Sequence, residues 1–406
     1  MSRFALSRPY IRAVFCAFLW LLPLGTAWNV MVKALGHPSL AIEIGPKLGG
    51  VTYDTPVILS WASVRDDRFQ KAVSSRITDA IPMRPLLIRL NNGIRFKVFG
   101  ELAASQVVRG ANGQLIERSY LDEYCARTEG MGAQLAADIL PKLKDIQKFY
   151  ESRGNIFIYV VSPSKAAHLP EYFVNQHACS STPTARTQLL PDYVGVLEKA
   201  GIQVVDTASL IHSLKGTYPF DLFPQGGVHW NDVGGARAAS AIVEAVDRRA
   251  GREIIPPYKF TYTLSGVASG ADRELVDLLN VFFPPLGYQT PKVSFQPEVP
   301  CAESLARDLD VAIVSSSFGH LPARSMVEGN CLARLQVYYY ATLGRFGGSP
   351  YRELQQNLAD SDFASVRDAK VLILEENESF VARTSYVDRL RALLNRPVTA
   401  HRDSAL

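Results

Sequence analysis

A serine and a histidine carry the chemistry that the sequence suggests. Ser317 closes the apolar run DVAIVSSSF, residues 310–318, and His229 lies in FPQGGVHWNDVGG, residues 223–235. A serine hydroxyl is a weak nucleophile until a base takes its proton, and a neutral imidazole is the natural base. A serine in the turn between a strand and a helix has its hydroxyl exposed. Backbone N–H groups at the helix start can also stabilise a developing oxyanion there. The pair therefore points to acyl transfer, by an esterase or by an acetyltransferase working through an acyl-serine. Ser315 and Ser316 are alternative nucleophiles, and a serine that only caps a helix is the bland reading of Ser317.

The elements that must position this pair read as an alternation of strands and helices. Gly226 and Gly227 lead into His229, and residues 232–251 read as a helix with Val233, Ala236, Ile242, Val243 and Val246 on one face. Asp232 stands as its N-cap. Upstream, Leu135, Ile139, Leu143, Ile146 and Phe149 trace a helix, and IFIYVV at 156–161 is a fully apolar strand. A helix at 191–200 and a strand at 202–206 follow. The pattern resumes with a strand at 311–315, a helix beyond Ser317, a strand at 371–374 and a helix at 385–394. Such alternation predicts an α/β fold with a parallel sheet flanked by helices, whose ligands bind at the carboxyl ends of the strands. Polar clusters fall at those ends, at residues 162–165, 315–318 and 375–378. Residues 252–306 are proline-rich, with one helical patch at 272–282, and read as an insertion or lid. The α/β domain is thus assigned to 106–406, decorated at about 252–306.

Residues 35–105 read as a connector and N-terminal helices, broken at Pro82 and Pro85. Asn112-Gly113 between two apolar runs is a strong hairpin signal. Ahead of these, Arg3, Arg8 and Arg12 precede a stretch with no charge from residue 13 to 24 that stays nearly apolar to Val32. Basic residues before an apolar run are an export signal. Residues 1–34 are read as a retained membrane anchor, with cleavage near Gly25 and Ala27 as the alternative. Apart from Cys16, four cysteines remain, and export favours two disulfides; Cys125–Cys179 and Cys301–Cys331 are taken as the expected pairs, although sequence alone does not fix the pairing. A formal net charge of +4 is too small and diffuse to imply nucleic acid. No Cys/His cluster suggests a metal, and no cofactor is expected.

Several stretches together resemble the alginate O-acetyltransferase AlgJ/AlgX family, which has an SGNH-hydrolase-like domain. They are the basic apolar N-terminus, DDRFQKAVSSRITDAIPMRPLLIRLNNGIRFKVFGE at 66–101, the hairpin NGQLIE, VSPSKAAHLPEYF at 161–173, the HWN loop and SSSF. The resemblance covers nearly all of residues 10–395 and is nearest to the membrane-anchored AlgJ type. It implies a permuted SGNH-like fold with the His motif before the Ser motif, Ser317 as nucleophile and His229 as base. It further implies O-acetylation of an exopolysaccharide in the periplasm at the inner membrane, with a membrane-bound O-acyltransferase supplying acetyl groups. A carbohydrate esterase and a non-catalytic polysaccharide-binding component are the alternatives. The family's His motif is Asp-x-His-Trp, and Gly227 stands at the Asp position. Asp221 or Asp232 could replace that acid, a Ser–His dyad could act alone, or catalysis could be lost. Trp230 could stack on a sugar or pack in the core. Lys165 could meet an anionic substrate or be a solvated loop residue. Glu375, Glu376 and Glu378 could line the groove but read better as a solvated turn. His320 is a possible accessory, and Tyr338, Tyr339 and Tyr340 divide between core and groove.

Overall fold

The computed structural model describes residues 8–51, 59–175, 177–285, 287–341, 343–346, 352–353 and 360–395. Two compact units divide the chain: Met1–Ser105 with Val276–Pro285, and Gln106–Leu275 with Leu286–Leu406.

The first unit is helical. Its longest helix, Arg8–Ala34, is followed by Trp61–Arg65, Arg68–Asp79 and Arg84–Ile94. Pro85 sits at the start of the last helix, where its missing N–H costs nothing, so it begins a helix rather than breaking one. Buried Asn29 fixes the end of the long helix by donating to the carbonyls of Ile42 and Ala80, 2.8 Å each. Among the described residues no helix is long and apolar enough to cross a membrane. Arg3 of the expected anchor lies outside the described residues, as do the side chains of residues 8–19 and 21.

The second unit is built on a seven-stranded sheet. In chain order the strands are β1 Val107–Arg109, β2 Leu115–Glu117, β3 Ile156–Ser162, β4 Val204–Asp206, β5 Tyr258–Ser265, β6 Thr290–Pro297, β7 Val311–Ser315, β8 Leu335–Tyr339, β9 Leu343–Phe346, β10 Arg352–Glu353 and β11 Val371–Asn377. The sheet order is β10-β9-β8-β7-β11-β3-β4, parallel from β8 to β4 and antiparallel at the β9 and β10 edge. Period-2 alternation sends successive side chains to opposite faces. Phe157, Tyr159, Val161, Leu372 and Leu374 meet helices Met131–Glu151, Pro183–Lys199 and Ser385–Leu394 on one face. Ile158, Val160, Ile313, Val337 and Ile373 meet helices Asp232–Ala250 and His320–Glu328 on the other. The expected flanked parallel sheet is therefore present.

The NG signal marks a real hairpin, β1 against β2, with Asn112 at φ 53° and Gly113 at φ 75°. The proline-rich segment also contains an antiparallel hairpin, β5 against β6, which the sequence reading had not predicted. Cys125–Cys179 and Cys301–Cys331 are bonded as expected, with Cα atoms 4.4 and 5.2 Å apart.

Candidate active site

Three neighbouring strands supply the polar ends of the sheet. Strand β11 lies between β7 and β3, so its last residues can reach both neighbours. Buried Glu375 accepts from the hydroxyl of Ser162 on β3 and, past the end of β7, from the backbone N–H (2.8 Å) and hydroxyl (2.8 Å) of Ser316. The Ser316 hydroxyl also accepts from the Phe318 N–H and caps the turn Ser317–Gly319. Gly319 lets this turn close: a Cβ there would lie 2.4 Å from the Ser315 hydroxyl. Ser315 is wholly buried and Ser316 nearly so, leaving Ser317 as the half-exposed member of the three. Its Oγ lies 3.5 Å from the Tyr340 hydroxyl.

His229 arrives from the other side of the cleft on the loop before helix Asp232–Ala250. The N-cap is Asn231, not Asp232: its Oδ1 accepts from the N–H groups of Val233 and Gly234, 3.1 Å each. Asp232 instead pairs with Arg324 at 3.2 Å, and Asp221 accepts from Gln114 at 3.3 Å. Neither acid weighed as an orienter holds His229. The ring's Nδ1 lies 2.6 Å from Oε1 of Glu274, a residue the sequence reading never singled out. The same oxygen accepts from the N–H of Val228 at 2.9 Å and of His229 at 3.3 Å. Nε2 of His229 is buried with no hydrogen-bond partner among the described residues.

His229, Glu274 and Ser317 line one cavity of about 320 Å³, with Trp230, Gly270, Ala271, His320, Leu321 and Tyr339. Burial and the neighbouring Tyr340 hold the Tyr339 hydroxyl up at about 12, so it enters the cleft as a neutral hydrogen-bonding group. Tyr338 is in the core and Tyr340 is exposed, so the three tyrosines do divide. A larger cavity of about 840 Å³, lined by Ile156 and Val371, lies at the amino ends of the strands and holds neither Ser317 nor His229.

Other expectations are corrected. Lys165 is not at the cleft surface: it is fully buried, and its Nζ donates to the carbonyls of Leu115, Pro224, Gln225 and Gly227. Burial pushes the amine down to about 7, against the pull of Asp221 and Glu274. The lysine thus pins the loop leading to His229 rather than meeting a substrate. Trp230 is 1% exposed and packs edge-on against Phe318, leaving little ring for a sugar. Glu375, Glu376 and Glu378 form no solvated turn, because each is buried in a hydrogen-bond network.

Residues 119–302 match the family model described as "SGNH hydrolase-like domain, acetyltransferase AlgX". Over those residues the chain is similar to an AlgX-type SGNH hydrolase-like domain. Among solved structures it is similar to the O-acetyltransferase domain of Pseudomonas putida AlgJ, at 18% identity and TM-score 0.46, over 70% of this chain and 98% of that one. It is similar to Pseudomonas aeruginosa AlgX at 15% identity and TM-score 0.48, over 72% of this chain and 68% of that one. Bacillus cereus PatB1 matches at 9% identity and TM-score 0.41, over 68% of this chain and 96% of that one. No curated protein matches the sequence.

Proposed function

We propose that this protein moves an acetyl group onto a hydroxyl of an exported polysaccharide through an acetyl-Ser317 intermediate. One observation carries the reading: Ser317 and His229 line the same cavity, and Nε2 of His229 has no hydrogen-bond partner among the described residues. The similarity to an AlgX-type acetyltransferase domain supports the acetyl group as cargo. In the first half-reaction Nε2 takes the Ser317 proton as Oγ bonds to the carbonyl carbon of an acetyl ester or thioester. Collapse of the tetrahedral adduct breaks the bond to the leaving group, which departs with the proton from His229. In the second half, a sugar hydroxyl gives its proton to Nε2 while its oxygen bonds to the acetyl carbon. The bond to Oγ then breaks and the proton returns to Ser317. The backbone N–H of Ser317, at the start of the Ser317–Gly319 turn, serves as an oxyanion donor.

The same reading assigns an alginate-like exopolysaccharide as acceptor and a membrane-bound acyltransferase as source of acetyl groups. It places the protein in the periplasm, held at the inner membrane by its N-terminal segment. The basic apolar N-terminus and two disulfides favour an exported, oxidising location.

The test is incubation of purified, oxidised protein with p-nitrophenyl acetate and alginate oligosaccharides, followed by mass spectrometry. Acetylated oligosaccharide is expected from the wild type and should be lost in Ser317→Ala and His229→Ala. Free acetate alone would mean a carbohydrate esterase. Unchanged turnover in both variants would sink catalysis and leave a polysaccharide-binding component.

A further inference from the structure

We propose that Glu274 is the acid that orients His229, a role moved from the loop before the histidine to the inserted segment. The inference rests on the Ser317–His229 reading above and adds a residue that the motif pattern places elsewhere. An ionised carboxylate only accepts hydrogen bonds, so a 2.6 Å contact to Nδ1 requires the imidazole proton to sit on Nδ1. That leaves the Nε2 lone pair free to take the Ser317 proton, the tautomer a general base must have. Oε1 also receives the N–H groups of Val228 and His229, so one oxygen fixes both the ring and the loop that carries it. Burial pushes this carboxyl up. The hydrogen bond and charge of His229, with the two backbone donors, outweigh burial and hold it below the ordinary glutamate range. The acid is therefore ionised at neutral pH.

The geometry also explains why position 227 is a glycine. A Cβ there would lie 2.4 Å from the Ala271 carbonyl oxygen, 2.9 Å from Pro224 Cγ and 3.3 Å from Asp272 Cα. The backbone just ahead of Glu274 thus fills the room that a side chain at 227 would need. The segment that supplies the carboxylate is the one that excludes an aspartate from the motif position. The inserted stretch Gly270–Arg273 is, on this view, a fixed wall of the site that delivers an acid. Glu274 acts through the His229 ring and not on the reacting atoms; it is a positioning residue.

The experiment reads the ring directly. In ¹⁵N-labelled oxidised protein, with the His229 signals assigned by their loss in His229→Ala, the two ring nitrogens report the neutral tautomer. The wild type is expected in the Nδ1–H form. In Glu274→Ala Nδ1 has lost its acceptor, so the ring is expected to switch to the Nε2–H form that an unconstrained imidazole favours, with p-nitrophenyl acetate turnover falling about 10³- to 10⁴-fold. Gly227→Asp in the Glu274→Ala background is expected not to restore the rate. A wild type already in the Nε2–H form overturns the proposal whatever the variants do, and so does a Glu274→Ala ring unchanged from wild type. If the tautomer switches but Ser317→Ala turns over like wild type, the catalytic reading fails while Glu274 still positions the ring.

Discussion

Ser315, Ser316 and Ser317 are equivalent by residue type, and the turn after β7 gives each a different fate. Ser315 points into the core with a hydroxyl that has no partner among the described residues, Ser316 is tied to Glu375, and Ser317 faces the cavity. Ser315→Ala is expected to change stability by no more than about 0.5 kcal/mol, because no bond is lost. Ser316→Ala removes a cap and strips a donor from a buried carboxylate, which should cost about 2–3 kcal/mol. Urea unfolding of the two variants checks the difference; equal losses would contradict the assigned bonds. Gly227 and Lys165 teach the same lesson at single positions. The glycine looked like a missing acid and is a site of close backbone approach. The lysine looked like a strand-end cation and is a buried donor to four carbonyls.

At the scale of elements, the last residues of β11 hold the site's floor together. Glu376 accepts from Tyr159 at 2.7 Å and from Thr384, and burial pushes it from 4.5 up to about 7. A carboxyl raised in the folded state stabilises the fold fully below its unfolded value. That contribution is lost as pH rises from about 4.5 through about 7. Roughly 3 kcal/mol rides on this shift. Glu376→Gln, which stays neutral, is expected to flatten the fall in melting temperature between pH 5 and 8. A variant with the wild-type slope would show that this proton is not at issue. The hairpin β5–β6 was legible in principle: YKFTYTLS alternates with the period of a strand, but the surrounding prolines masked it. Helix Ser385–Leu394 needed no such care, since its apolar spacing and local context agree.

The whole molecule depends on long closures. The two disulfides join residues 54 and 30 positions apart, and loops of that size are worth about 3–4 kcal/mol each. Thermal unfolding with and without reductant should therefore show a large drop in melting temperature on reduction; an unchanged value would mean that neither bond constrains the unfolded chain. By itself the sequence determined the strand–helix alternation, an even number of cysteines suited to disulfides and the candidates Ser317 and His229, while the pairing of those cysteines was fixed only by the fold. These rest on local periodicity, on redox context and on residues whose type limits their chemistry. Only the tertiary structure decided which of three serines faces the cavity and where Lys165 and the three glutamates go. It alone revealed Glu274, 45 residues beyond His229 in the chain. A hydrogen bond between such distant residues is set by where the insertion's backbone packs. No spacing rule records that, because the residues between them are free to vary while the contact is made.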